Sequence, residues 1–370
     1  MIFSLDICHK KFCITCFKGE YFFHKIARPK VLTARFGWFI FIAWFIVLHT
    51  ENKIVHQHHV IKKRNKKNMN KVMGFKEWGL IGFLALIWGA SFFFVKIAVA
   101  TMTPLTVVAC RVGLAALLLM AFALSTGRQL PRNIRTWGAL FVLGALNNVI
   151  PFSLITWGQT HIDSGLAAIL NATTPVFSVI LAHFLTRDEP LTKNRLAGVL
   201  LGWTGVAVLM GIDSLHGIGM KTAGQAAVLG AAFLYSLAAI FGRRFRDIDP
   251  VVVATGMLTG SATIMIPLAF IIERPLSLHP TAVTFAALFS LAAISTSLAY
   301  IIYFYVLAKA GATNILLVTF LIPVSAIFLG MAVLDETPGW NAFAGMGLIF
   351  AGLICIDGRL LTWKKKVSDA

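Results

Sequence analysis

PVFSVILAHFLTRDEP, residues 175–190, and PVSAIFLGMAVLDETP, residues 323–338, are two versions of one pattern. Each starts at a proline, runs apolar, reaches an acidic pair and stops at a second proline. The offset is 148 residues. Working outward, Ala145 matches Ala293, and the polar pair Asn147/Asn148 matches Ser295/Thr296 at the same offset. Downstream, Ala197, Gly198 and Gly205 match Ala344, Gly345 and Gly352 at an offset of 147, and Pro104 matches Pro250 at 146. Loop insertions and deletions produce drift of this size. The unit is far longer than a solenoid repeat and has the length of a duplicated half of a membrane protein.

Composition agrees. The chain is 58% hydrophobic, with 30 Phe and 9 Trp in 370 residues and only 13% charged residues. Mean hydropathy is +0.80. A soluble fold cannot cover that much apolar surface, so the chain is expected to be an all-α polytopic membrane protein. The net charge of +18 suggests nucleic acid only until it is located. Residues 1–72 hold 14 Lys and Arg against three acids, and the remaining cations sit at helix ends. That placement points to membrane orientation rather than nucleic acid. Of the five Cys, three lie in the N-terminal segment, where Cys13 and Cys16 form one CxxC pair with no second pair to complete a zinc ribbon, so neither a zinc ribbon nor a disulfide framework is expected.

Apolar runs long enough to cross about 30 Å of hydrocarbon follow one another from Met73 onward. They place ten helices near 78–98, 104–125, 136–157, 164–186, 194–212, 222–243, 249–271, 279–308, 313–334 and 340–357. The eighth window is long, so that helix is expected to tilt or to begin late. Connections flanked by Arg128, Arg132 and Arg135, by Arg187, Lys193 and Arg195, and by Arg243, Arg244 and Arg246 alternate with connections that hold only Lys96, Lys221 and Arg274. Lys309 and the tail from Arg359 join the cationic side. This asymmetry places both termini in the cytoplasm. Five helices per half make the second half enter from the other side. The matched loops carry the sign of that inversion: residues 186–195 are cationic, whereas residues 334–343 contain no Lys or Arg. The expected architecture is two inverted five-helix repeats, with the first repeat over 73–212, the second over 213–358 and a basic cytoplasmic tail over 359–370. Residues 1–72 read as a basic extension ahead of a working start at Met73, or as a cytoplasmic tail with an additional helix. Their apolar stretch 37–48 is short for a span, and His56, His58 and His59 lack partner carboxylates for a metal site.

The segment Ile87–Trp88–Gly89–Ala90–Ser91–Phe92, Arg111 early in the second helix, Asn171 with Pro175 and Phe177 in the fourth, and the acidic-proline endings at 188–190 and 335–338 together resemble the drug/metabolite transporter superfamily, EamA type. The resemblance covers roughly residues 76–358. It implies a secondary transporter in a bacterial inner (plasma) membrane, with a small-molecule substrate and the lipid bilayer as its partners. Export of amino acids or related compounds by alternating access is the implied activity. A central cavity lined by helices 1, 3, 4, 6, 8 and 9 comes with it. The second half departs from the pattern, because Thr319 stands where Asn171 stands in the first.

The residues suggest where a site would lie. Pro175 and Pro323, at matched depths, each free a backbone carbonyl that needs a partner or a wet cavity, and they read either as hinges or as packing kinks. Asn147, Asn148 and Asn171, with their counterparts Ser295, Thr296 and Thr319, either line a substrate path or tie helices together. Trp88, Ser91, Tyr235, Tyr300 and Tyr303 offer aromatic and polar walls for an organic solute. Arg111 and His183 are ionisable residues inside predicted helices, and such residues contact an ion or anionic group, gate, or pair structurally. No catalytic residue, metal site or cofactor is indicated: there is no HExxH, G-x-S-x-G or Walker A pattern. Asp188/Glu189 and Asp335/Glu336 fall on opposite membrane edges, where helix-end capping or loop pairing accounts for them. A channel or lipid scramblase on the same scaffold is the alternative, with an intramembrane enzyme behind it. Monomer and homodimer are both compatible with the sequence.

Overall fold

The computed structural model describes residues 75–185, 192–211, 219–310 and 318–357. The N-terminal extension 1–72, the turn 187–190 and the tail 359–370 lie outside the described residues.

The described residues form ten helices and no strand: α1 (Phe75–Ala98), α2 (Pro104–Ser125), α3 (Ile134–Gly158), α4 (Ser164–Leu185), α5 (Lys193–Met210), α6 (Met220–Phe245), α7 (Pro250–Glu273), α8 (Ala282–Leu307), α9 (Val318–Val333) and α10 (Trp340–Asp357). Among them seven, α1–α4 and α6–α8, are long and apolar enough to cross a membrane, and α9 and α10 are shorter apolar helices. Local chemistry sets the starts. Pro104 and Pro250 occupy the first turns of α2 and α7, where a missing N–H costs nothing. Asn133 accepts from the Arg135 N–H at 2.9 Å and Asp249 accepts from the Val251 N–H at 2.8 Å. The eighth helix starts at Ala282, later than position 279, because the Thr281 hydroxyl accepts the Thr284 N–H at 3.2 Å and fixes the cap there.

The faces turned outward are apolar. Leu117 is 69% exposed, Phe285 60% and Phe328 67%. In water such a surface would aggregate; in hydrocarbon it is the solvated face. Inside, α2, α3, α7 and α8 share a core in which Val108, Val112, Ala115 and Leu119 meet Phe152, Leu258, Met265 and Ala292.

Contacts between the halves obey a two-fold exchange. α5 packs on α10 through paired glycines: a Cβ on Gly198 would lie 2.5 Å from the Gly352 carbonyl, and one on Gly205 would lie 2.8 Å from the Gly345 carbonyl. Gly198 corresponds to Gly345 and Gly205 to Gly352 in the repeat, so each glycine touches the counterpart of the other. Only antiparallel helices related by a two-fold axis pair in this way. α2 and α7 do the same. At one end, the Leu105 and Thr106 N–H groups donate to Glu273 at 3.0 and 2.7 Å; at the other, Arg128 Nε meets Asp249 at 3.2 Å. Off the axis, contacts swap. The Ser236 hydroxyl of α6 donates to the Thr174 carbonyl of α4 at 2.8 Å. At the matched place, Gly89 of α1 lies against the Ile322 carbonyl of α9, where a Cβ would come within 2.8 Å. Two five-helix repeats therefore face each other with opposite orientations in the membrane.

Candidate functional site

α3 and α8 are each interrupted by one wide, π-type stretch, Ala145–Val149 in α3 and Ala293–Leu298 in α8. They sit at matched repeat positions and contain the two polar pairs. A π turn inserts an extra residue and leaves carbonyls poorly served, and it occurs often at functional sites. In α8 hydroxyls fill the gap: Thr296 Oγ1 donates to the Leu291 carbonyl at 2.7 Å and Ser297 Oγ to the Ala292 carbonyl at 2.9 Å. Ser295 Oγ reaches across to the Ile87 carbonyl of α1 at 3.1 Å.

Side chains of the α3 π turn reach α8 at Tyr300, just past its own π turn. Asn147 Nδ2 donates to Tyr300 Oη at 3.0 Å and to Asn148 Oδ1 at 3.2 Å, and Tyr300 Oη donates to Asn148 Oδ1 at 3.3 Å. Asn148, wholly buried, donates through Nδ2 to Ser261 Oγ of α7 at 3.1 Å. Arg111 of α2 completes the group. Its Nε donates to Thr296 Oγ1 at 3.0 Å, and its guanidinium carbon stands 3.8 Å from the centre of the Phe152 ring. Tyr235 and Tyr300 pack on the same core cluster as Phe152. The structure thus gathers Arg111, Asn147, Asn148, Thr296, Tyr300 and Tyr235 around the repeat interface. Side-chain amides, a phenol and a cation held this way offer hydrogen bonds and charge to a polar solute within an apolar surround.

The other predicted residues fall nearby or elsewhere. Trp88 of α1 meets Tyr303 of α8, with ring centres 5.6 Å apart, and Ser91 is buried on α1. Asn171 closes the first segment of α4, and its Oδ1 is buried without a protein partner. The backbone breaks after it, and Pro175 stands in the first turn of the second segment, Thr174–Leu185. Hydroxyls service the break: Thr173 donates to the Leu170 carbonyl, Thr174 to the Asn171 carbonyl and Ser236 to the Thr174 carbonyl. Pro323 sits inside a continuous α9, and Thr319 is half-buried near that helix's start. The two prolines therefore occupy different local structures. His183 is exposed at the end of α4 beside Phe184, and the structure does not bring it to the Arg111 group.

A sequence profile of the EamA-like transporter family matches residues 77–211 and, a second time, residues 222–356. The chain belongs to the EamA-like transporter family. Its relatives in that family include the uncharacterized transporter YoaV of Bacillus subtilis, 24% identical over 271 residues that cover 73% of this chain and 92% of YoaV. The uncharacterized inner membrane transporter YedA of Escherichia coli K12 is 26% identical over 293 residues, covering 78% of this chain and 94% of YedA. A solved crystal structure shares the fold, with a TM-score of 0.56 and 19% identity over 76% of this chain and 97% of its own. A membrane transporter of the drug/metabolite superfamily is thus established as the general role.

Several residues of this EamA-like centre escape sequence reasoning. Ser261 is one of four hydroxyl residues on α7, all of which also donate to the carbonyl one turn back, so nothing marks it out. Phe152 is one of 30 phenylalanines. Away from the centre, Gln159 at the end of α3 and Gln225 near the start of α6 carry a readable signal, an amide in an apolar run, and both are buried with side-chain atoms that lack a partner among the described residues.

Proposed function

We propose that this transporter exports a small organic metabolite, of the amino-acid kind or related to it, across a bacterial inner membrane by alternating access of its two repeats. Both termini are cytoplasmic, and the solute binds at the π-turn centre around Asn147, Asn148, Thr296 and Tyr300. The observation that carries this reading is the pair of π turns at matched positions of an inverted duplication, with the α3 turn hydrogen-bonded to Tyr300 just past the α8 turn and Arg111 bonded to Thr296 within it. The repeat scaffolds around this site are related by a two-fold axis, so inward- and outward-open arrangements have similar packing and similar free energies. The end contacts support it: α4 and α9 meet through Gly165, Ile327 and Glu336 near one membrane edge, while Arg128 and Asp249 hold α2 to α7 at the other.

The test is a metabolite screen in everted vesicles from cells overproducing the chain. Saturable accumulation of at least one organic solute, competed by its unlabelled form and absent from control vesicles, is the expected result. Flux that rises linearly and is not competed identifies a channel, and lipid flip in reconstituted vesicles identifies a scramblase. Either result, or no chain-dependent flux, overturns the proposal.

A further inference from the structure

Resting on the transporter reading, we infer that Arg111 is the recognition residue for a carboxylate, so that the solute is a small organic monoanion or a zwitterion with an apolar body. Arg111 lies about 10 Å along α2 from its start, at membrane depth, and is only 7% exposed. Its side chain remains charged under all ordinary conditions. A buried charge is tolerated when it is paired. Yet among the described residues no carboxylate reaches it. Its protein partners are one neutral hydroxyl, Thr296, and one aromatic face, Phe152.

The posture matters as much as the missing partner. The hydrogen bond to Thr296 uses Nε, and the Phe152 ring holds the guanidinium plane from one side. Among the described residues the terminal fork of two Nη groups has no acceptor. That fork matches the two oxygens of a carboxylate in a planar, bidentate pair. A purely structural arginine would spend its fork on a carboxylate or on backbone carbonyls. The charge count sets the ligand class. Arg111 is the only cation in the group formed with Asn147, Asn148, Thr296, Tyr300 and Tyr235, so a monoanion neutralises it, whereas a phosphate dianion would leave an unpaired negative charge at membrane depth. Tyr235, Tyr300 and Phe152 supply the apolar and aromatic surround for the rest of the molecule.

The experiment uses the purified full chain in lipid nanodiscs and shape-matched pairs: phenylacetate with phenylacetamide, 4-methylvalerate with 4-methylvaleramide, and phenylalanine with phenylalaninamide. Thermal stabilisation reports binding, and export from proteoliposomes reports transport. At least one carboxylate is expected to stabilise the wild-type chain where its amide does not. Arg111→Gln is expected to erase that discrimination and to weaken carboxylate binding roughly 30-fold or more; Arg111→Lys keeps a weaker preference, since it retains charge without the fork. Amides binding as well as acids, discrimination surviving Arg111→Gln, or no carboxylate stabilising the wild type each overturns the inference. If Arg111→Gln does not fold, the wild-type panel with Arg111→Lys decides: a preference undiminished by lysine removes the role of the fork. Saturable export of neutral or cationic solutes with indifference to carboxylates defeats the anion site alone, whereas absence of any saturable flux defeats the transporter reading.

Discussion

Glu336 shows how much one side chain holds. It is 9% exposed and accepts from the Ser164 N–H at 2.7 Å, the Ser164 hydroxyl at 2.9 Å and the Gly165 N–H at 3.2 Å. Three orphan donors at the start of α4 are met by one carboxylate from beyond α9, and its charge also suits the positive end of that helix. Glu336→Gln turns one accepting oxygen into a donor facing donors. The expected cost is about 1–3 kcal/mol, read as a lowered unfolding temperature of the purified chain. Gly330→Ala acts in the same direction, because its new methyl group runs into the Glu336 carboxylate. Stability unchanged in both variants would refute the clasp. The sequence marks Glu336 only as a helix-edge acid, because its partners lie 172 residues away. Asn147, Asn148, Ser295 and Thr296 are legible for the opposite reason: an amide or hydroxyl pair in an apolar helix stands out by itself, and the repeat points to it twice.

Helix elements carry the next pair of expectations. The glycines of α5 and α10 let two backbones approach until a Cβ on Gly352 would sit 2.6 Å from the Gly198 carbonyl. Between membrane helices, close packing takes over the part played by the hydrophobic effect in water. Gly205→Leu is therefore expected to separate the helices and to reduce the yield of folded protein, as seen by size-exclusion chromatography. Gly82→Leu, at a position with open space around it, is expected to be tolerated. Equal behaviour of the two variants would contradict the packing argument. The prolines differ at this scale. Pro175 follows a serviced break, whereas Pro323 lies within a continuous helix, so α4 has a ready bending point and α9 has only a freed carbonyl. Pro175→Ala is expected to slow maximal flux several-fold with little change in solute affinity, and Pro323→Ala to slow it less. Proteoliposome kinetics with equilibrium binding on the same variants check this, and wild-type flux in Pro175→Ala removes the hinge. The sequence pairs the two prolines but gives no sign of the difference, which depends on hydroxyls contributed by Thr173, Thr174 and Ser236.

At the scale of the molecule, the duplication, the ten helices and their opposed orientations were all readable from spacing and loop charge, because hydrocarbon demands long apolar runs and cations mark one face. Sidedness gives the matching prediction. On a cysteine-free background, Ser277→Cys and Gly339→Cys are expected to react with an impermeant maleimide in intact cells, while Arg132→Cys and Asp247→Cys react only after the membrane is opened. The reverse pattern would invert the whole topology. What could not be read is how the halves interlock, since contacts across some 150 residues leave no periodic trace in either repeat.

The two clasps of α2 and α7 carry a lesson about ancestry. A homodimer of the first half would set Arg128 against Thr103, the repeat counterpart of Asp249, and its cation would have no acid to meet. A homodimer of the second half would set Asp249 against Arg274, the repeat counterpart of Arg128 at the same offset of 146, so an acid and a cation would still meet there. The first half has become chemically illiterate toward its own copy while remaining fluent with its sibling. Charge at this contact now favours the fusion, as the peptide chain does, so with separated halves produced in one cell the first half should choose the second over its own copy.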